Sequence, residues 1–166
     1  FDANGGTGGK SVTQDYGTAF SPPTVTRTGY TFKGWSPAVP SAVPAGDVTY
    51  TAQWQINQYT VTFDANGGTG GKSVTQDYGT VLSAPLVKRE NHSLIGWLPA
   101  IPATMPAENV TYMAKWLCDW ICTTNADNSL TIIGVNVTPS GAITIPAEID
   151  GHPVTDIASG VFKDCT

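Results

Sequence analysis

The chain repeats itself at an offset of 62 residues, and this repeat constrains the fold more than any other feature of the sequence. Residues 1–54 and 63–116 align at that offset without an insertion or deletion. The first 18 positions of the two copies are identical and read FDANGGTGGKSVTQDYGT, and both copies close on the pattern VTYxAxW. A fixed period of this size marks an array of structural modules. We therefore expect two successive copies of one small fold.

The hydrophobic pattern within each copy predicts strands. In the segment QYTVTF at 58–63 the apolar residues alternate with threonines, which is the period of a half-buried strand. The Asn66-Gly67 pair that follows suits the positive φ angles of a hairpin turn. Further strands are predicted through Val74, Gln76 and Tyr78, over 30–35 and 92–97, and over 48–54 and 110–116. The last strand of each copy places Trp54 or Trp116 in phase with its apolar neighbours, so both should lie in the core. Twelve prolines and 18 glycines leave room for one short helical turn at most, near 36–44, so the chain should be all-β.

Three segments of the repeat carry a resemblance to a known family. They read YTVTFDANGG at 59–68, GYTFKGW at 29–35 and VTYTAQW at 48–54. In this combination the repeat resembles the Listeria–Bacteroides repeat, the B-repeat type of module also found in internalin B. The resemblance covers essentially all of 1–117. It implies a small β-grasp-like fold and a place in bacterial surface proteins, where such modules serve as spacers or adhesive modules.

The segment after Trp116 follows a different pattern. Ile143–Pro146 reads ITIP, Val154–Ile157 reads VTDI, and Val161–Cys165 reads VFKDC. This order resembles one unit of a BspA-like leucine-rich repeat and implies the opening of a solenoid, with 118–137 as its N-terminal cap. A solenoid unit cannot bury its own core, and about three stacked units are needed for stability. We therefore expect the leucine-rich part to continue in the parent protein.

These patterns predict three domains. The first repeat occupies 1–56 and should be truncated at its N-terminus, because the chain opens on Phe1 in the middle of a motif that is longer in the second copy. The second repeat occupies 57–117, and the cap and first leucine-rich unit occupy 118–166. No Gly/Ser-rich or proline-containing linker lies in 55–58, so the repeats should behave as semi-rigid beads.

Composition and charge exclude several classes of partner. The net charge is −5 with only eight lysines and arginines, so the chain lacks the basic stripe that nucleic acids or anionic membrane surfaces require. No stretch of about 18 apolar residues is present, and no membrane insertion is predicted for this chain. A charged-then-apolar leader is also absent, so a signal peptide would lie upstream. The charged share of 13% is about half the usual value for soluble domains, as is common in extracellular β proteins.

Trp35 and Trp97 are the predicted ligand-binding residues. Strict alternation along the third strand places Phe32 on one face and Trp35 on the other, away from the core. Exposed tryptophans stack on sugars and on protein surfaces, so the two rings could form a ligand platform. The alternative is that a bulge at Gly34 re-aims the ring, or that the proline-rich segment after it covers the ring.

The Asp-Ala-Asn sequence of the hairpin turn does not fit a calcium site. An EF-hand loop that starts at Asp64 would need glycine at its sixth position and glutamate at its twelfth. The chain has Thr69 and Thr75 there. Hairpin chemistry explains the Asp and Asn without a metal, and neither a metal nor a cofactor is predicted.

The three cysteines, Cys118, Cys122 and Cys165, do not form a recognisable motif. In a strand Cys118 and Cys122 would lie roughly 13 Å apart, beyond the ~7 Å limit for the Cα atoms of a disulfide, so a bridge requires a turned segment. A zinc site that adds Cys165 and His152 has the right ligand types but lacks the paired spacing. Cys165 is better explained as a buried solenoid residue.

No catalytic site is predicted. His92 and His152 lie in no recognisable setting, and the chain has neither G-x-S-x-G nor H-E-x-x-H. The predicted protein is a non-catalytic, modular, extracellular protein of a bacterial cell surface or secretion, with repeats that act as stalk or adhesive modules. Its solenoid would present the binding face to an unidentified protein or glycan of a host or neighbouring cell. One alternative is that these are accessory modules of a secreted hydrolase whose catalytic domain lies outside this chain. Another is that the repeats are spacers that bind nothing.

Overall fold

The computed structural model describes residues 1–137 and 141–163, and this part of the chain contains ten strands and no helix. The strands are β1 (Tyr30–Ser36), β2 (Thr51–Ile56), β3 (Gln58–Asp64), β4 (Lys72–Asp77), β5 (His92–Leu98), β6 (Val110–Cys118), β7 (Trp120–Thr124), β8 (Leu130–Val135), β9 (Glu148–Ile149) and β10 (His152–Ile157). The prediction of an all-β fold is confirmed, whereas the short helical turn expected near 36–44 does not form. The described residues therefore contain no helix that is long and apolar enough to cross a membrane.

The chain forms two compact units whose segments interleave along the sequence. The first unit contains residues 1–61, 74–83 and 102–110. The second contains residues 62–73, 84–101 and the chain from residue 111 onward. The domain boundaries expected from the repeat pattern stay a prediction.

The first unit contains the β1–β2 hairpin. The two strands pair antiparallel, and a small cluster of buried side chains lies beneath them: Ala3, Val25 and Ala52. Trp35 and Trp54 pack against this cluster. Strand β2 begins at Thr51, so the predicted start at Val48 is too early, and Val48 is 43% exposed.

The second repeat supplies a four-stranded sheet with the order β4-β3-β6-β5. All four strands were predicted from the alternation of apolar and polar residues. Asn66 and Gly67 have φ angles of +47° and +84°, as expected for the hairpin turn after β3. Phe63 and Tyr112 are 1% and 2% exposed, and their rings stack with centroids 5.7 Å apart. The likeness to a β-grasp fold stays a prediction.

The C-terminal segment forms a second four-stranded sheet with the order β7-β8-β10-β9. Strand β8 pairs antiparallel with β7 and parallel with β10. The buried side chains of this sheet include Leu130, Ile132 and Ile149. Cys165, with which the last leucine-rich motif ends, lies outside the described residues, and the leucine-rich resemblance stays a prediction.

Candidate functional site

The Asp-Ala-Asn segment of each repeat forms a turn that is tied to the last strand. In the second repeat the Asp64 carboxylate accepts a hydrogen bond from the backbone N–H of Asn66 at 2.8 Å. The side-chain amide of Asn66 donates to the carbonyl of Ala114 at 2.9 Å. The first repeat has the same two bonds at the equivalent residues, at 2.8 and 2.9 Å. These acidic residues therefore have a structural role, and the described residues hold no group of three or more His, Cys, Asp or Glu that could bind a metal ion.

Two tryptophans connect this turn to the core. The indole N–H of Trp116 donates to the carbonyl of Ala65 at 2.8 Å, and that of Trp54 donates to the carbonyl of Ala3 at 2.9 Å. Both rings pack against the core clusters, as predicted, although each stays partly exposed. Gly68 lies so close to Trp116 that a Cβ on it would come within 2.9 Å of the ring. The turn and the tryptophan thus leave no room for a side chain at this glycine.

A bulge turns Trp35 back toward the core. The register of β1 and β2 shifts between Phe32 and Gly34. Gly34 has a φ of +127°, a backbone conformation that residues with a side chain rarely adopt. Trp35 packs on the core cluster, and its ring lies edge-on to Phe32 with centroids 5.4 Å apart. Strict alternation placed these two rings on opposite faces, which is wrong, because the bulged residue breaks the alternation.

Trp97 has the same setting in the second repeat. The register of β5 and β6 shifts between Leu94 and Gly96, and Gly96 has a φ of +144°. The Trp97 ring packs against its core cluster and lies edge-on to Phe63 with centroids 5.4 Å apart. Trp35 and Trp97 both remain partly exposed. Ligand binding by these two residues stays a prediction.

A single residue, Asn57, forms the joint between the two repeats, where β2 ends and β3 begins. Its N–H donates to the carbonyl of Gly29 at 2.9 Å, and its carbonyl accepts from the N–H of Tyr78 at 2.9 Å. Its side-chain oxygen accepts from the hydroxyl of Thr31 at 2.6 Å. The Tyr78 ring fills the space beside Gly29, where any side-chain carbon would collide with it. Backbone, side chain and ring contacts therefore fasten the second repeat to the first.

The same joint recurs 62 residues later, between the second repeat and the C-terminal segment. Asp119 lies between β6 and β7, where its N–H donates to the carbonyl of Asn91 and its carbonyl accepts from the N–H of Asn136, both at 2.8 Å. Its carboxylate accepts from the hydroxyl of Ser93 at 2.6 Å. The sequence reasoning missed both joints. The available signal was that Asn57 and Asp119 continue the offset of 62 beyond the last aligned tryptophan.

Charged side chains reinforce this second joint. Asp150 forms an ion pair with Arg89 at 2.7 Å and lies 3.4 Å from Nε2 of His92. The His92 side chain is only 6% exposed, and its Nδ1 lies 2.7 Å from the carbonyl of Glu90. The other histidine, His152, has its Nδ1 3.2 Å from a backbone carbonyl. In the described part of the chain neither imidazole is hydrogen-bonded to a hydroxyl or thiol that it could activate as a nucleophile.

Two free thiols flank the second joint. Cys118 ends β6 and Cys122 lies on β7, and no disulfide joins them. Burial raises the pKa of the Cys122 thiol above its ordinary value of 9.0, and the neighbouring Cys118 raises it further. A thiol with a raised pKa carries little of the nucleophilic thiolate at neutral pH. Cys165, the third cysteine of the zinc site considered above, lies outside the described residues.

Comparison with known proteins supports the repeat pattern. A family model described as the Listeria-Bacteroides repeat domain matches residues 1–53 and 59–115. Internalin H of Listeria monocytogenes is 32% identical over 114 residues, which cover 57% of this chain and 20% of that protein. A protein of Evansella cellulosilytica provisionally named a membrane protein is 28% identical over 134 residues, 70% of this chain and 20% of its own length. A second Evansella protein, provisionally named a Gly-rich membrane protein, is 35% identical over 108 residues, 58% of this chain and 12% of its own length.

The chain thus spans a fifth or less of the length of these relatives. No solved structure matches it. The two segments that match the family model together cover well over half of the chain. The chain therefore belongs to the Listeria–Bacteroides repeat family and contains two copies of the repeat.

Proposed function

We propose that this chain is a non-catalytic part of a bacterial cell-surface or secreted protein in which the two repeats act as a stalk. The observation that carries this proposal is the joint that occurs twice, each time with one residue and the same three hydrogen bonds. A single residue provides no linker that could flex, and its N–H, carbonyl and side chain are all engaged. A stalk needs such joints because it must hold a distal domain at a fixed distance.

The relatives support a place at the cell surface. One is named as an internalin and two are provisionally named as membrane proteins, and none of the three is named as an enzyme. In this proposal the C-terminal segment opens a leucine-rich solenoid that presents a binding face to a protein or glycan of a host or neighbouring cell. The parallel pairing of β8 and β10 supports it, because stacked repeats bring successive strands side by side.

The stalk is tested by the relative motion of the two repeats. In ¹⁵N relaxation measurements on the full chain, amides of both repeats should report one common rotational correlation time. The double variant Asn57→Gly/Tyr78→Ala removes the side-chain bond and the ring at the joint, so the repeats should then report two different times. Ser21→Gly, an exposed position away from the joint, is the matched glycine control and should behave like the parent. Independent tumbling in the parent chain would contradict the stalk.

The location is tested separately on cells. An antibody raised against this chain should label intact cells of the organism that encodes it, or detect the protein in the medium. Labelling that requires permeabilised cells would contradict a surface or secreted location. The alternative of accessory modules on a secreted hydrolase predicts instead a catalytic domain in the rest of the reading frame.

A second candidate function is a ligand platform at Trp35 and Trp97, which is favoured by the partial exposure of both rings. The test is a screen of the chain against immobilised glycans and extracellular-matrix proteins. Binding should disappear in Trp35→Ala/Trp97→Ala. Because both rings pack on the core, the variant Trp35→Phe/Trp97→Phe is needed as a folded control. No binding by the parent would leave the repeats as a stalk.

A further inference from the structure

We infer that the second repeat carries a self-association surface that the first repeat lacks. The surface lies on the outer face of the β5–β6 hairpin and consists of four side chains, which we name the apolar strip: Ile95, Leu98, Met113 and Leu117. Their exposed fractions are 55%, 61%, 43% and 37%. The occupant that we assign to it is the apolar strip of a second copy of this chain.

The strand register places these residues on one face. Ala114 is 1% exposed and faces the core, so its neighbours in the alternation, Met113 and Leu117, point to the other face. Leu98 lies directly opposite Met113 in the antiparallel pair and shares its face. Ile95 occupies the bulge between the two registers of the hairpin. The four side chains therefore lie on the face that points away from the core cluster.

The first repeat provides an internal comparison for this face. At the offset of 62 its equivalent residues are all polar: Lys33, Ser36, Thr51 and Gln55. The two hairpins have the same pairing and the same bulge, so the fold itself does not require apolar residues at these positions. An exposed apolar patch on a framework that does not need it indicates an interaction site.

A second copy fits this surface because the strip can pack against itself. A two-fold axis brings the same residues of both copies into contact, so one apolar face supplies both sides of the interface. Strand β5 ends the sheet order β4-β3-β6-β5, so the strip reaches the edge of the sheet. A lysine on an edge strand discourages edge association. The first repeat has Lys33 there, and the second has Ile95. Lys115 lies on the same face as the strip, and its long side chain lets the ammonium group remain in solvent.

The exposed area sets the strength of the contact. A strip of four half-exposed side chains offers on the order of 300–400 Å² per copy, so a dimer buries less than the roughly 1,200 Å² of a stable complex. We therefore expect a weak dimer, with a Kd of about 0.1–1 mM. If the chain is part of a surface stalk, as proposed above, many such contacts between neighbouring stalks would add up through multivalency. Only this last consequence rests on the proposed function.

The test is the mass of the full 166-residue chain in solution. In reducing buffer, between about 10 μM and about 1 mM, sedimentation equilibrium should show the mean mass rising from 17.4 kDa toward about twice that value. The exchange variant Ile95→Lys/Leu98→Ser/Met113→Thr/Leu117→Gln takes the residues of the first repeat and should stay monomeric. The reciprocal variant Lys33→Ile/Ser36→Leu/Thr51→Met/Gln55→Leu creates a second strip and should form assemblies larger than a dimer.

Three outcomes would overturn the inference. The first is a parent chain that stays monomeric over the whole concentration range. The second is an exchange variant that associates like the parent, which would assign the contact to another surface. The third requires no variant: amide shifts of the parent that change with concentration should cluster on β5 and β6, and clustering on β7 to β10 would overturn the strip. Failure of the stalk is seen instead as independent tumbling of the repeats in dilute solution.

Discussion

The turn that starts each repeat should depend on one asparagine for two separate reasons. Asn66 has a φ of +47°, in the left-handed region, and its amide donates to the carbonyl of Ala114 at 2.9 Å. Asn66→Ala removes both contributions. Loss of the hydrogen bond leaves a partly buried carbonyl unpaired, which costs about 1–2 kcal/mol. Alanine in the left-handed conformation costs about 1 kcal/mol more than asparagine, which visits it readily. The second repeat should therefore lose about 2–3 kcal/mol, a large part of the 5–15 kcal/mol that is usual for a whole domain.

Hydrogen exchange followed by mass spectrometry is the appropriate assay, because it reads the opening free energy of each repeat separately. A chain of several modules does not unfold in one two-state step. Amides of β6 should exchange about 30- to 150-fold faster in Asn66→Ala, while those of the first repeat should not change. Asn4→Ala should give the reverse result, because Asn4 makes the same bond to Ala52 at 2.9 Å.

Asn66→Gly separates the two contributions. Glycine accepts the positive φ but makes no side-chain bond, so this variant should lose about 1–2 kcal/mol. Equal exchange rates for Asn66→Gly and Asn66→Ala would show that the backbone argument is wrong. A rate for Asn66→Gly equal to that of the parent would show that the bond to Ala114 contributes nothing.

The second joint and the segment after it should respond to charge and pH. Asp150→Asn removes the ion pair with Arg89, whose side chains are 50% and 29% exposed, so exchange in the C-terminal segment should rise about fivefold at most, or about 1 kcal/mol; a far larger rise would contradict a solvent-screened pair. Because the pKa of the Cys122 thiol is raised, iodoacetamide at about pH 8 should modify it more slowly in the folded chain than in urea, and equal rates by mass spectrometry would refute this. Hydrogen bonds from the hydroxyl and then the N–H of Ser129 lower the pKa of Asp127 below its ordinary value of 3.8, so the folded state binds fewer protons there than the unfolded state. This stabilisation is present above the ordinary value and is lost as the pH falls through the lowered one, and an NMR titration of the carboxyl carbon that gives an unshifted midpoint would contradict it.

The strands of the second repeat could be predicted from sequence because alternation and turn chemistry are local properties. The orientation of Trp35 could not, since the bulge that re-aims it depends on how β1 pairs with β2. Gly34 was the local signal of that bulge. The joint at Asn57 was missed for a related reason: its partners Gly29 and Tyr78 are distant in sequence, and nothing in the asparagine itself indicates them. Only comparison with Asp119, one period later, connects the two sites.

The joint also allows the protein to change length by whole modules. Gly29 and Thr31 belong to the module before the joint and Tyr78 to the module after it, so each new module brings both halves of the contact. The identical blocks at 1–18 and 63–80 are where the two copies could be misaligned during recombination of the gene. A crossover within them adds or removes 62 residues and restores the same three hydrogen bonds at the new boundary. Alleles of the gene should therefore differ in steps of one module, and the intact joint would let selection on reach act without a loss of folding.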